Sequence, residues 1–260
     1  MAKLRKLANR TKELEIFLQM AQGKHDCRIM LIEGESGMGK TSLLSRFRQQ
    51  CPDTVKYVPF DCKGLDSIAA FLSEVVNDLG RAQFPIFEKK LRTFIQGSVD
   101  FSENDIAAQT ISIAINGTSL DPQAQEHRLR QLHDAFFDDL EKFEHQIVIV
   151  LDTYQMANES LQNWIESTWL RTVKRRLKKV VTVVAGKSIP DPNHLVWGDK
   201  CTPFILTPIL DEKAWYEFCS DLPEYCKLPE PTVKTIVLLA EGHPSNVIQT
   251  LSLIAKKWSA

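Results

Sequence analysis

At 260 residues the chain is long enough to bury a proper core, and it fits one large domain or a domain with a small appendage but not four. Its 32 basic and 33 acidic residues nearly cancel, with a pI near 6.6, so no global field draws it onto nucleic acid or anionic lipid and any such contact must be local. The 6 cysteines lack the paired short spacing of a zinc or redox site, which points to buried or half-buried free thiols in a reducing compartment.

The amino terminus is basic and lacks the apolar stretch of a secretory signal, and runs such as Ile147 to Leu151 are far too short to cross a bilayer. A soluble, cytoplasmic chain without membrane contact is expected. A first strand at residues 27–33 runs into Gly34-Glu35-Ser36-Gly37-Met38-Gly39-Lys40-Thr41-Ser42 and then a helix over Lys40–Gln50. G-x-x-x-x-G-K-T between a strand and a helix is the spacing of a P-loop. Its glycines let amides turn inward around phosphate oxygens, and the helix adds unpaired N–H groups and a positive dipole end. Lys40 would reach the β- and γ-phosphates of ATP or ADP, and the Thr41 hydroxyl would ligate Mg²⁺. The bland alternative is a glycine turn that holds nothing. Gly37 is extra to the pattern and reads as steric.

A strand at 55–61 and a helix at 67–79 follow. Residues 98–121 then break the rhythm with alternating apolar residues and Asn-Gly and Pro signals, the pattern of an inserted hairpin or partly ordered loop. Next come a helix at 123–143, in which Phe136 and Phe137 fall at core positions, and the most hydrophobic strand of the chain, Ile147–Asp152. Asp152 stands where a phosphate-bound Mg²⁺ needs its carboxylate; the alternative is an Asp that caps the next turn. Hydrolysis also needs a group that orients or deprotonates water. Thr153 cannot serve, Glu159 is the nearest downstream acid, and Gln155 could at most orient a water, so slow or partner-dependent turnover is expected.

A helix at 161–178 carries Trp164 and Trp169, which read as packing residues, and ends in the densest basic segment, from Arg171 to Lys179. Cations suit helix C-termini and solvated faces; the functional alternatives are a nucleic-acid backbone contact, not favoured, or an arginine reaching a neighbouring subunit. The strand at 180–185 leads to Lys187, which is either a γ-phosphate sensor or a solvated lysine. After a strand at 203–206 only helices remain, at 212–220, 232–241 and 245–258, so the boundary falls near 207–211. The fold expected is α/β: a parallel sheet flanked by helices over residues 1–208, followed by a small all-helical lid over 209–260. The 6 histidines show no metal spacing and read as satisfied or solvated.

These motifs in this order resemble the STAND class of signal-transduction ATPases within the AAA+ lineage. Ala8-Asn-Arg-Thr-Lys-Glu-Leu-Glu15 is similar to the family's Arg-x-x-Glu-Leu segment, and Val183-Val-Ala-Gly-Lys-Ser-Ile-Pro190 to its strand ending in Ala-Gly-Arg. Glu241-Gly-His-Pro-Ser245 is similar to the Gly-x-Pro signature of its helical lid. The resemblance implies that Arg10 lies beside the adenine, that Pro244 contacts the base, and that the lid closes over the nucleotide. Lys187 replaces the family's usual arginine and Thr153 its common second acid. The resemblance also implies a winged helix, a repeat sensor and an effector domain; none is legible here, so the chain is either a piece of a longer protein or a minimal switch whose effector works in trans, and a homo-oligomer or an effector in trans is the expected partner. An ATP-dependent switch, plausibly in bacterial signalling or defence, is the preferred expectation. The competing ones are an AAA+ regulator that assembles on nucleic acid and a module that holds nucleotide only for structure.

Overall fold

The computed structural model describes residues 7–95, 107–116 and 121–258. Five strands, β1 (Ile29–Glu33), β2 (Lys56–Asp61), β3 (Ile147–Asp152), β4 (Val180–Gly186) and β5 (Cys201–Ile205), form one sheet in the order β2-β3-β4-β1-β5. Every pairing is parallel. All carboxyl ends therefore meet at one edge, where the site is built.

The continuous aliphatic runs are explained by burial on both faces. Ile29, Leu31, Ile147, Ile149, Leu151, Val180 and Val184 enter one core, beneath α3 (Ile68–Leu79), α4 (Pro85–Ile95) and α6 (Pro122–Glu141). Met30, Ile32, Val148, Val150, Val181 and Val183 enter a second core beneath α1 (Thr11–Ala21) and α2 (Lys40–Gln50). There Phe17 of α1 stacks on Phe47 of α2 at 4.1 Å. Each outer strand carries one proline, Pro59 on β2 and Pro203 on β5. A proline removes a ladder donor and so blunts an exposed edge against further pairing.

Helix starts are fixed by short polar side chains. Ser67 accepts from the Ala70 amide, Asp121 from Ala124, Asn158 from Leu161 and Asp211 from Ala214. Two helices, α1 and α4, go unannounced by the sequence pattern. The start of α4 is held from far away: Asp139 of α6, only 2% exposed, accepts the Ile86 and Phe87 amides at 2.9 and 2.8 Å. No local motif could signal that cap.

The expected insertion is corrected in part. Ala108–Asn116 is a helix, α5, and not a hairpin, with Ile111 and Ala114 fully buried against α3, α4 and α6. The β-branched alternation of 111–115 yields to burial at helical spacing. Residues 98–106 and 117–120 of that segment lie outside the described residues. The helix expected at 161–178 is also corrected, because α7 (Glu159–Trp164) passes through a π-helical stretch, Ile165–Trp169, into α8 (Leu170–Arg175). The Glu166 carbonyl in this stretch accepts from the buried Trp197 indole at 2.9 Å, and the Trp169 indole donates to Thr182 at 3.0 Å. Cys226 is exposed, against the expectation of buried or half-buried thiols; the other five cysteines meet it.

A third core lies in the helices after β5: α9 (Glu212–Ser220), α10 (Glu230–Leu239) and α11 (Pro244–Trp258). They enclose Trp215, Cys219, Val233, Val237, Val247 and Leu251, together with Ala8 from the amino-terminal segment. Among the described residues no helix is long and apolar enough to cross a membrane.

His133 departs from the expected satisfied or solvated role. It is 7% exposed, its Nδ1 accepts from the Trp164 indole at 3.5 Å, and its Nε2 is buried without a partner. Burial pushes its pKa down to about 4. The unfolded chain takes up this proton near pH 6.5 and the folded chain only near pH 4, so stability is lost as pH falls through that window. Between pH 7 and 4 this site should cost up to about 3 kcal/mol, at roughly 1.4 kcal/mol per pKa unit. Urea titrations at pH 7, 5.5 and 4 should show a shallower pH dependence for His133→Phe than for the parent, and parallel curves would refute the assignment.

Candidate functional site

Between β1 and α2 the chain turns through Gly37 and Gly39 in the left-handed region, at φ 83° and 89°. Gly39 occupies the N-cap of α2 without a side chain, which leaves the first-turn amides free to meet a ligand. The Gly34 amide donates to the Gly186 carbonyl at 3.1 Å, tying the turn to the end of β4. Lys40 Nζ donates to the carbonyl oxygens of Gly34 and Glu35.

Asp152 ends β3 beside this turn. Its Oδ2 accepts from the Thr41 hydroxyl at 3.4 Å, and its Oδ1 accepts from the Thr153 amide at 2.7 Å. Thr153 adopts φ 57°, a left-handed conformation that strains a β-branched residue. Gln155 Oε1 accepts from the Lys187 amide at 3.0 Å, linking the loops after β3 and β4. Burial raises the Asp152 pKa, the Thr153 amide opposes that rise, and the charge of Asp61 adds to it. Burial lowers the Lys40 pKa; Asp152 and Glu35 raise it and Lys187 lowers it further. Two cations thus converge on one space, an arrangement that a bound polyanion relieves.

That space is a cavity of about 640 Å³. Ser36, Lys40, Thr41 and Ser42 line it from the glycine turn and α2, Asp152, Thr153, Gln155 and Lys187 from the ends of β3 and β4, and Pro244, Ser245 and Gln249 from α11. A second cavity of about 420 Å³ adjoins it and shares Gly39, Ser42, Pro244 and Ile248 with it. Its other walls are mostly apolar, with Met38, Trp215, Phe218 and Tyr225 among them. Arg10 lines it too, donating to the Thr207 carbonyl at 2.8 Å and pairing with Glu13 at 3.4 Å.

All the site residues expected from sequence therefore surround one of two joined cavities or the turn between them. Of the wall formed by the carboxyl-terminal helices, sequence reasoning named Pro244 and missed Ser245, Ile248 and Gln249 in the first cavity and Trp215, Phe218 and Tyr225 in the second. Gly37 is packed directly beneath that wall: a Cβ there would lie 2.5 Å from His243 Cε1 and 2.8 Å from Ser245 Cβ, and the Ser245 amide donates to its carbonyl at 3.1 Å. Gly37, extra to the P-loop spacing and read from sequence as steric, is the glycine that this double crowding requires. His243 itself is held by a turn in which Glu241 and Gly242 both have positive φ. Their amides bond back to the Leu238 and Val237 carbonyls, the pairing of a Schellman cap.

The basic segment 171–179 is largely engaged within the chain. Lys174 bonds to the Val196 carbonyl and pairs with Asp199, Arg176 pairs with Asp138 and Glu141 at 2.7 and 2.8 Å, and Lys179 donates to the Phe143 and Glu144 carbonyls. Arg171, Arg175 and Lys178 remain at the surface, and the segment leads into the amino end of β4, opposite the cavity edge.

A family model described as AAA ATPase domain matches residues 6–183. Among solved structures the chain is similar to the Walker-type ATPase PABY2304 of Pyrococcus abyssi, with TM-score 0.53 and 15% identity over 97% of this chain and 69% of that one. It is also similar to Cdc6p from Pyrobaculum aerophilum, with TM-score 0.51 and 13% identity over 85% of this chain and 51% of that one. A third similarity is to the Aeropyrum pernix ORC1 protein, solved in complex with DNA, with TM-score 0.50 and 13% identity over 97% of this chain and 60% of that one. At such identities the likeness concerns the fold. No curated protein sequence matches the chain.

The crowding at Gly37 makes a direct prediction. Gly37→Ala should raise the hydrogen-exchange rate of the Ser245 amide at least tenfold while leaving β1 and β3 protected. Unchanged protection at Ser245 would mean that this contact does not hold α11 against the turn.

Proposed function

The chain belongs to the AAA ATPase domain family, and from that premise we propose that it is an ATP-binding molecular switch of the STAND type. The observation that carries this reading is the pair of joined cavities. One is lined mainly by polar side chains, with Lys40 and Lys187 against the carboxylate of Asp152, and is set over the glycine turn; the other is lined mainly by apolar and aromatic side chains and is set between Arg10 and the carboxyl-terminal helices. A triphosphate suits the first and a purine the second, with Pro244 at their junction.

Both ATP and Mg²⁺ fit the residues present. Gly37 and Gly39 give the positive-φ turn that presents amides to phosphate, and Lys40 would exchange its carbonyl partners for phosphate oxygens. Thr41 and Asp152 form a hydroxyl and carboxylate pair that suits a hard cation. Mg²⁺ held there would screen the phosphate charge. Lys187 faces the same space as a second cation, positioned through its amide by Gln155. Ser245 and Gln249 of α11 close the cavity from above.

The helices beyond β5 act in this reading as a lid domain, residues 209–260, on a core of residues 1–208. The separate apolar cluster of those helices and their contact with Gly37 support the division. Ligand contacts made to both parts bias the lid toward closure, and a differential of about 5.5 kcal/mol takes such an equilibrium from 1:99 to 99:1. Turnover is slow or partner-dependent because Thr153 follows Asp152. The closed form then oligomerises or engages an effector; a setting in bacterial signalling or defence rests on the STAND resemblance alone.

A second reading, an AAA+ regulator that assembles on nucleic acid, draws support from the likeness to the ORC1 protein that was solved with DNA. The internal pairing of Lys174, Arg176 and Lys179 weighs against segment 171–179 as its contact surface.

Calorimetry with ATP, ADP and Mg²⁺ tests the main reading. Lys40→Ala should weaken nucleotide binding at least 100-fold while its ligand-free melting temperature stays within about 3 °C of the parent. A parent that binds neither nucleotide ends the proposal. Particle size should change between ADP and a slowly hydrolysed ATP analogue. If DNA binding appears instead, and weakens steeply between 50 and 200 mM salt, the second reading replaces the first.

A further inference from the structure

The carboxylate that Thr153 fails to supply has a candidate one strand away. We propose that Asp61, at the end of β2, is the proton acceptor for the water that attacks the terminal phosphate, an inference that rests on the nucleotide reading above.

In the parallel register of β2 and β3, Asp61 lies directly opposite Asp152. Register partners in a sheet point to the same face and stand about 4.8 Å apart between strands. Asp152 points to the face covered by α2, where it meets the Thr41 hydroxyl, so Asp61 presents its carboxylate on that face too, one strand further from the glycine turn. The ladder continues past both residues, because the Cys62 amide donates to the Asp152 carbonyl at 2.9 Å. The two acids are thereby locked side by side.

Their oxygens are committed differently. Asp152 has one oxygen on the Thr153 amide and the other on the Thr41 hydroxyl, so both are already engaged and neither is open to an attacking water. Asp61 has Oδ1 oriented by the Lys63 amide at 3.0 Å, and among the described residues no hydrogen bond engages its other oxygen. It is also exposed to solvent, so water reaches it. Thr153, in its left-handed conformation, carries the chain out of the strand direction immediately after Asp152, and Glu159 comes only at the start of α7.

In the step proposed, the water oxygen forms a bond to the terminal phosphorus while its proton passes to the Asp61 carboxylate. The bond from that phosphorus to the bridging oxygen breaks, its electron pair leaves with ADP, and inorganic phosphate is released. No further reactant is needed. Displacement by one strand from the position that directly follows Asp152 makes for a slow step.

Single-turnover hydrolysis, nucleotide calorimetry and trapping of ADP with aluminium fluoride on the full chain together test the assignment. Asp61→Asn should bind Mg·ATP within threefold of the parent, hydrolyse it about 100-fold more slowly, as loss of a general base predicts, and fail to trap ADP with aluminium fluoride. Asp61→Glu should recover at least a tenth of the rate, and Glu159→Gln should match the parent. An Asp61→Asn protein that hydrolyses at the parental rate overturns the inference, as does one that loses ATP binding along with turnover. So does a parent that binds ATP yet releases no phosphate in a single turnover over a day. In all three cases the nucleotide reading survives, whereas a parent that binds no nucleotide overturns that reading first.

Discussion

The site hangs on the passage from β1 to α2, where the chain leaves a strand paired on both sides and enters a helix with no side chain at its N-cap. The left-handed turns at Gly37 and Gly39 favour a residue without a Cβ. At Gly37 a side chain would also collide with His243 and Ser245. One stretch of backbone is thus constrained twice, once by its own torsions and once by a helix more than two hundred positions later. Whatever alters the amides of this turn must be felt by α11, because the Ser245 amide is bonded to the Gly37 carbonyl.

The sheet supplies the remaining chemistry through its order alone. With β4 between β1 and β3, the three loops that leave these strands converge. Gly34 bonds to Gly186, Thr41 to Asp152 and Gln155 to Lys187, each bond crossing from one loop or strand end to another. Placing β2 outside β3 adds Asp61 to the same edge. A parallel sheet buries its strands on both faces, so the polar ends are where its functional groups lie at the smallest desolvation cost.

Much of this was legible in sequence because it is local. The runs at 147–152 and 180–185 are continuous aliphatic segments, and the structure explains them by sending alternate residues into two separate cores. The glycine turn, Asp152 and Lys187 follow from short motifs and line one cavity. What was illegible depends on partners distant in the chain. Asp139 caps a helix more than fifty residues before it, and α5 forms against a β-branched alternation because α3, α4 and α6 bury its Ile111. Asp61 carries no motif, and only the register of β2 on β3 gives it a neighbour. The aromatic wall of Trp215, Phe218 and Tyr225 reads in sequence as an ordinary helical core, which it also is.

Hydrogen bonds mark where the chain passes from the cores around the sheet to the cluster of the carboxyl-terminal helices. The Leu206 amide donates to the Glu33 carbonyl and its side chain belongs to the core beneath α1 and α2. The Ile209 amide donates to the Gly242 carbonyl, its own carbonyl accepts from the Trp215 indole, and its side chain belongs to the carboxyl-terminal cluster. Loyalty therefore changes across Thr207 and Pro208. The Thr207 carbonyl is held by Arg10, while Asn9 reaches Asp211 and Ala8 is buried in the carboxyl-terminal cluster. The amino-terminal segment thus straps both sides of the joint and also walls the apolar cavity. In the switch reading, an opening lid must slide against Arg10 or carry the strap with it. A ligand in the apolar cavity would touch strap, turn and lid at once, which is the differential contact that a nucleotide-driven equilibrium requires.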